Sequence, residues 1–184
     1  SKYKQEEDYP CHYRKENKDS AEEEFKLNLP VMAKGSNYFS LGDKSISENN
    51  QFLAYSIDLL SRREYTIYIK DLKTGKVLED KIHNTTGDIT WANDNKTIFY
   101  TKKDEVTLRS SQIFRHTLGT DASEDVLVFE EKDETFSCFI FKTKSRKYLM
   151  IGSDQTLSTE YQFLDANDPA GKWQVIQPRE RNLE

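Results

Sequence analysis

Four kinds of short strand recur along this chain in a fixed order, and that recurrence restricts the fold more than any single motif does. One kind reads Asn50-Gln51-Phe52-Leu53-Ala54-Tyr55, then Asn95-Lys96-Thr97-Ile98-Phe99-Tyr100, then Arg146-Lys147-Tyr148-Leu149-Met150-Ile151. Leu53 to Ile98 is a step of 45 residues, and Ile98 to Leu149 one of 51. The kind that follows is centred on Cys11, Ile67, Ile113 and Tyr161, with steps of 56, 46 and 48. A third kind closes each unit at Glu24-Phe25-Lys26-Leu27, Lys76-Val77-Leu78-Glu79, Asp125-Val126-Leu127-Val128 and Trp173-Gln174-Val175-Ile176. A fourth opens it at Tyr38-Phe39-Ser40-Leu41 to Ile46, at Asp88-Ile89-Thr90-Trp91 and at Ser137-Cys138-Phe139-Ile140. Period-2 alternation fills these segments, and no apolar i, i+3, i+4 pattern lasts three turns. Four strands on a period of about 40 to 50 residues are the signature of propeller blades.

The punctuation agrees. Asp71-Leu72-Lys73-Thr74-Gly75-Lys76 puts Gly75 where a tight hairpin needs a positive φ, and Leu118-Gly119-Thr120 and Asp165-Ala166-Asn167-Asp168-Pro169 occupy the same slot later. The chain therefore reads as an all-β, partial β-propeller with about three to four four-stranded antiparallel blades. The units are 1–32 (an incomplete first blade, its opening strand missing or truncated), 38–82, 88–131 and 136–178, in one partial domain spanning 1–184. Each blade buries its faces on its neighbours, so the two end blades of such an arc keep an open apolar face. Nothing pairs the last strand with the first, which predicts an arc cut from a larger ring. Tyr148, Met150, Tyr161, Phe163 and Trp173 belong to the last unit, where some side chains must lack partners. That predicts self-association of the isolated segment into a dimer through its end blades.

Composition narrows the function. The formal net charge of −5 and dispersed basic residues exclude a nucleic-acid footprint. No apolar run approaches the roughly 18 residues of a membrane span. The chain opens on Ser1-Lys2 rather than Met, so a missing targeting segment says little about the parent. Aromatics at 12% argue against disorder despite a mean hydropathy of −0.85. Cys11 and Cys138 lie far apart without a partner motif and read as strand residues. His12, His83 and His116 are not spaced as ligands, and the first and last of these sit on repeat-equivalent strands, which predicts structural roles. In the stretch from Asp165 to Gly171 the glycine comes one place late and the twelfth position is Ile176, so it reads as a turn and not a calcium loop. No cofactor or metal is expected.

The residues then resemble a known family. Phe52-Leu53-Ala54-Tyr55-Ser56-Ile57-Asp58 with Ser61-Arg62-Arg63-Glu64-Tyr65-Thr66-Ile67-Tyr68-Ile69-Lys70-Asp71-Leu72 looks like the second blade of the oligopeptidase B branch of the prolyl oligopeptidase family of serine peptidases. Its third blade is similar to Asn84-Thr85-Thr86-Gly87-Asp88-Ile89-Thr90-Trp91-Ala92-Asn93-Asp94, continuing through Phe99-Tyr100-Thr101-Lys102-Lys103-Asp104, Thr107-Leu108-Arg109-Ser110 and Arg115-His116-Thr117-Leu118-Gly119-Thr120. Gln177-Pro178-Arg179-Glu180-Arg181 resembles the end of its fourth, so the likeness runs from about Tyr9 to Arg181.

That resemblance implies a cytoplasmic (periplasmic in some members) peptidase that cuts short peptides after Arg or Lys. It implies a seven-bladed propeller covering an α/β-hydrolase domain of the same parent chain and keeping folded proteins out. The nucleophile elbow G-x-S-x-G belongs to that hydrolase domain, and Gly35-Ser36, Gly42-Asp43, Gly87-Asp88 and Gly152-Ser153 all lack its flanking pattern. This segment is expected to be catalytically inert. The sequons Asn84-Thr85-Thr86 and Asn95-Lys96-Thr97 would be silent in the cytoplasm. Arg62, Arg63 and Arg109 fall between the second and third strands of two adjacent units. They read either as solvated loop charges or as contacts to the hydrolase domain through bidentate Arg–carboxylate pairs. The alternative to a gating domain is a free-standing propeller scaffold for a protein or peptide, weakened by the absence of WD and Gly-His signatures. Leu183-Glu184 reads equally as native sequence or a tag remnant.

Overall fold

The computed structural model describes residues 1–3, 5, 7–15 and 20–180; Arg181, at the end of the family-like stretch, and Leu183-Glu184 lie outside them. Strands β1 (Cys11–Lys15) and β2 (Glu23–Asn28) form an antiparallel pair. A single helical turn, α1 (Leu29–Ala33), follows where the strand repeat gave no sign of helix. Its cause is local: the Asn28 side chain accepts from the Val31 amide at 3.3 Å, and Pro30 sits in the first turn, where a missing N–H costs nothing.

Three blades come next. The first holds β3 (Ser40–Ile46), β4 (Phe52–Asp58), β5 (Tyr65–Asp71) and β6 (Val77–Thr85). The middle one holds β7 (Thr90–Trp91), β8 (Thr97–Lys103), β9 (Ser110–Thr117) and β10 (Val126–Glu130). The last holds β11 (Ser137–Lys142), β12 (Tyr148–Gln155), β13 (Ser158–Asp165) and β14 (Gln174–Val175). Within each blade consecutive strands pair antiparallel, and Ile98 pairs with Trp91 and His116 of its own blade. Turns repeat as well: Asn50, Asn95 and Arg146 hold φ of 61°, 60° and 59° at the same step between first and second strands. Gly75 has φ 75°, as its hairpin requires.

The first two blades are also joined edge to edge. At the end of β6, Thr85 pairs with Tyr65 of its own blade and with Lys102 of β8, and the Thr86 amide donates to Thr101 O at 2.9 Å. This crossing backbone must satisfy its polar groups, and the end of β8 supplies them. The result is one eight-stranded curled sheet rather than two separate ones, with the last blade standing as its own four-stranded sheet.

Three apolar cores lie between units. Leu27 and Leu29 meet Phe39, Leu53 and Tyr55. Ala54, Ile67, Ile69 and Ile82 meet Ile89, Trp91, Ile98 and Tyr100. Ala92, Phe99 and Ile113 meet Cys138, Ile140, Leu149, Ile151, Leu164 and Ala166. Side chains alternate along a strand, so Ile98 and Tyr100 enter one core while Phe99, between them, enters the next. On the far side of the last blade Phe141, Tyr148 and Tyr161 remain exposed, whereas Trp173 turns inward and meets Phe99 edge-on with centroids 6.0 Å apart.

The first blade and the middle one share an ionic lock. His116, on β9 and fully buried, places Nδ1 2.6 Å from Asp125 Oδ1 and Nε2 3.1 Å from Asp80 Oδ1 on β6. Asp80 also accepts from the Gly119 amide at 2.6 Å, and the Tyr100 hydroxyl donates to Asp125 Oδ2 at 2.7 Å. Two ring nitrogens facing two carboxylates call for an imidazolium. Burial opposes that charge, but the bonds to Asp125 and then Asp80 outweigh it and hold the His116 pKa above its ordinary value. Burial, reinforced by Asp125, pushes the Tyr100 hydroxyl up, so it stays a donor.

A raised folded-state pKa means that the stabilisation is complete below the unfolded value of about 6.5 and is lost as pH climbs through the folded value. The urea midpoint should therefore fall as pH rises from about 6.5 through the folded pKa. His116→Leu should remove that His-linked slope and cost about 3 to 5 kcal/mol, because two buried carboxylates lose their cation. Urea titrations of both proteins across that range check the two outcomes.

Candidate functional site

Each blade makes its loop between second and third strands at the same end, because antiparallel strands reverse direction at every turn. Two of these loops, 59–64 and 104–109, border a cleft of about 970 Å³ that also takes in Glu130, Glu131, Lys132 and Glu134. Arg62 and Arg109 both line it, and Lys103 Nζ donates to Arg63 O at 3.0 Å, so the two loops are neighbours. The loops are locally determined. Asp58 Oδ1 and Oδ2 accept from the Leu60 and Arg63 amides at 2.7 and 2.8 Å. Asp104 Oδ1 accepts from the Val106 and Thr107 amides at 3.1 and 2.7 Å. The Thr107 amide helps hold the Asp104 carboxyl below the usual carboxylate range.

The three arginines are not alike. Arg62 and Arg63 have exposed side chains at the rim. Arg109 is half-buried, with Nη1 donating to Phe136 O at 2.6 Å and Nη2 to Glu131 O at 3.1 Å. Its guanidinium caps the backbone link into the last blade, a role that loop position alone does not reveal.

Beside it lies a knot that the sequence did not single out as a site. Buried Glu131 binds Arg179 Nη2 at 2.6 Å and takes the Ser153 hydroxyl, and the Arg179 guanidinium lies 3.7 Å from the centre of the Phe136 ring. Burial raises the Glu131 pKa, yet Arg179 and Ser153 outweigh that and leave it lowered. The Arg179 amide donates to Glu160 Oε2 at 3.1 Å. The only hint in the sequence was that Arg179 falls in the stretch resembling the end of a family blade.

First strands converge on the inner wall. Trp91 Nε1 donates to Ser45 O at 3.0 Å, and Thr90 Oγ1 to Ile140 O at 3.3 Å. A second cleft, of about 420 Å³, runs along these strands. At the other rim Glu48 reaches across the middle blade to Lys142 at 2.7 Å and Arg146 at 2.9 Å. Lys142 also donates to Asn93 Oδ1 at 3.0 Å.

The remaining candidates are engaged in structure. His12 Nδ1 lies 3.0 Å from Ser1 Oγ with its pKa lowered by burial, and His83 Nδ1 lies 3.2 Å from Thr66 Oγ1. Asp165 Oδ1 accepts from the Asn167 amide at 2.8 Å, closing a turn. Cys11 and Cys138 are buried and unpaired, and burial pushes the Cys138 thiol up to about 12. Among the described residues no three His, Cys, Asp or Glu side chains cluster as metal ligands.

With this geometry in hand, the comparisons are specific. Residues 1–184 match the family described as prolyl oligopeptidase, N-terminal beta-propeller domain. The chain is 36% identical to dipeptidyl aminopeptidase BI of Pseudoxanthomonas mexicana, over 96% of this chain and 26% of that protein. It is 35% identical to Protease 2 of Moraxella lacunata, over 93% of this chain and 26% of that protein. Oligopeptidase B of Leishmania major superposes with a TM-score of 0.84 at 29% identity, over 94% of this chain and 24% of its own. Oligopeptidase B of Trypanosoma brucei, solved in a closed form with covalently bound antipain, gives 0.85 at 26% identity, over 95% and 25%. The chain thus spans about a quarter of the length of these relatives. An arc of four-stranded blades matched along its whole length to one domain family leads to a single assignment: this chain belongs to the N-terminal β-propeller domain of the prolyl oligopeptidase family of serine peptidases.

Proposed function

We propose that this chain is the non-catalytic, size-filtering wall of a serine oligopeptidase. In this reading it covers an α/β-hydrolase domain of the same parent chain, and only short peptides cleaved after Arg or Lys reach the nucleophile. One observation carries the reading: the propeller match runs the full length of the chain, and the two oligopeptidase B structures superpose over nearly all of it. The G-x-S-x-G elbow is not in this sequence, so the chemistry falls to the rest of the parent. In the same reading Arg62 and Arg63, free at the rim, meet carboxylates of the hydrolase domain.

The isolated chain should not hydrolyse Arg-containing peptides. Turnover by a purified sample that a serine-directed inhibitor abolishes, with host peptidases excluded, would contradict this. In the full-length parent, Arg62→Ala/Arg63→Ala should lower kcat/KM by altering closure, while leaving the urea midpoint unchanged. Arg109→Ala should instead cost about 1 to 3 kcal/mol of stability, since it strips the donors from Glu131 O and Phe136 O. Unchanged kinetics in the double variant would remove Arg62 and Arg63 from the domain contact. Outside its ring, the segment should dimerise through the open face carrying Phe141, Tyr148 and Tyr161. Sedimentation equilibrium reads this directly, and a clean monomer of 21.6 kDa at high concentration would contradict it.

A further inference from the structure

The loop between β4 and β5 carries two adjacent arginines on a strained backbone. Its six residues, 59–64, are all exposed, and Arg62 and Arg63 lie in its second half. Exposed loops are where proteolytic nicking concentrates, and trypsin-like enzymes cut after Arg. Such an enzyme binds its substrate as an extended strand, through main-chain hydrogen bonds. This loop is not extended. Ser61 and Arg63 hold φ of 59° and 55°, so a left-handed residue stands on each side of Arg62.

Each of the two arginyl bonds also has a reacting atom already engaged. Hydrolysis adds water across the bond: the carbonyl carbon takes the hydroxyl, the C–N bond breaks, and the nitrogen leaves with the proton. The carbonyl oxygen must therefore reach an oxyanion hole, and the nitrogen a general acid. In the Arg62–Arg63 bond the nitrogen donates its hydrogen to Asp58 Oδ2 at 2.8 Å, and Asp58 is fully buried. In the Arg63–Glu64 bond the carbonyl oxygen accepts from Lys103 Nζ at 3.0 Å. Asp58 Oδ1 takes the Leu60 amide at 2.7 Å as well, so one carboxylate at the end of β4 pins the loop at two points.

The neighbouring loop, 104–109, is closed in another way. The Asp104 amide donates to Arg109 O at 2.8 Å and the Leu108 amide to Asp104 O at 2.9 Å, so its own backbone shuts it. Arg109 is held further by its two carbonyl partners. In the loop 59–64 a side-chain staple does this work, which makes its form conditional on Asp58 and Lys103.

We propose that Asp58, with Lys103, shields a latent cleavage site at Arg62-Arg63 against peptidases that cut after Arg. The shield is a property beyond the filtering role proposed above, although a wall beside an enzyme of that specificity has particular need of it. Limited trypsin digestion of the full-length parent under native conditions, mapped by mass spectrometry, tests it on the unaltered protein, Asp58→Asn and Lys103→Met. Asn fills the same space as Asp58 but accepts from only one of the two amides, and Met keeps the length of Lys103 without its ammonium. Asp58→Asn should speed cutting at 62–63 and 63–64 at least about tenfold, because losing a hydrogen bond to a charged acceptor raises the population of the open loop. Lys103→Met should speed cutting at 63–64. The Arg109–Ser110 bond should keep its unaltered rate in both variants, which separates a freed loop from an unfolded blade. Rapid cutting at Arg62-Arg63 in the unaltered protein, no acceleration in either variant, or acceleration only in step with Arg109–Ser110 would overturn the proposal. Trypsin is the probe, so a parent that does not cut after Arg would sink the proposed function and leave the shield standing.

Discussion

Everything in this arc depends on strands that are buried on both faces. β8 hides Thr97 to Thr101 without a break, and β4 hides Leu53 to Ser56. A four-stranded sheet alone has nothing to cover two apolar faces, so neither strand is stable except between neighbours. Ile98 and Tyr100 need the first blade, and Phe99 needs the last. The blade is the repeating unit of sequence, but the space between blades is the unit of stability.

Polar groups carried into those spaces act as register pins. His116 reaches from β9 to Asp80 on β6, and Trp91 Nε1 reaches the backbone of β3. The junction with the last blade uses different chemistry in the same place. Arg109 caps carbonyls of the linker, and Glu131 with Arg179 ties the linker to the end of the described chain. A shift of one blade against another would strand buried charges, which costs far more than a change in apolar contact. In the proposed role as a filtering wall, rigid inter-blade geometry would serve to keep the gaps between blades closed.

Much of the fold was legible because strands announce themselves by alternation and the repeat announces itself by register. Gly75 at φ 75° and the strand around Ile98 followed from residue type and spacing. The helical turn at Leu29–Ala33 did not, since five residues carry no period, and its signals were only Asn28 and Pro30. The bridge from Thr85 to Lys102 was equally hidden, because it meets a need of the crossing backbone and not of any side chain. Of the three arginines, Arg62 and Arg109 line one cleft, but loop position could not show that Arg109 is bound to backbone. The His116 lock was beyond reach for a related reason. Asp80 lies 36 residues away in another blade, and a lone histidine on a strand looks the same with or without it.

The central claim is that the first and middle blades form one cooperative unit through their shared core and lock. Native-state amide exchange with rising urea measures this most directly, because it gives an opening free energy for each strand. Amides of Leu53 to Ser56 in β4 and of Ile98 to Thr101 in β8 should converge on a single value and respond together to urea. If β4 opened at a distinctly lower free energy while β8 kept full protection, the blades would be separate units and the account would be wrong.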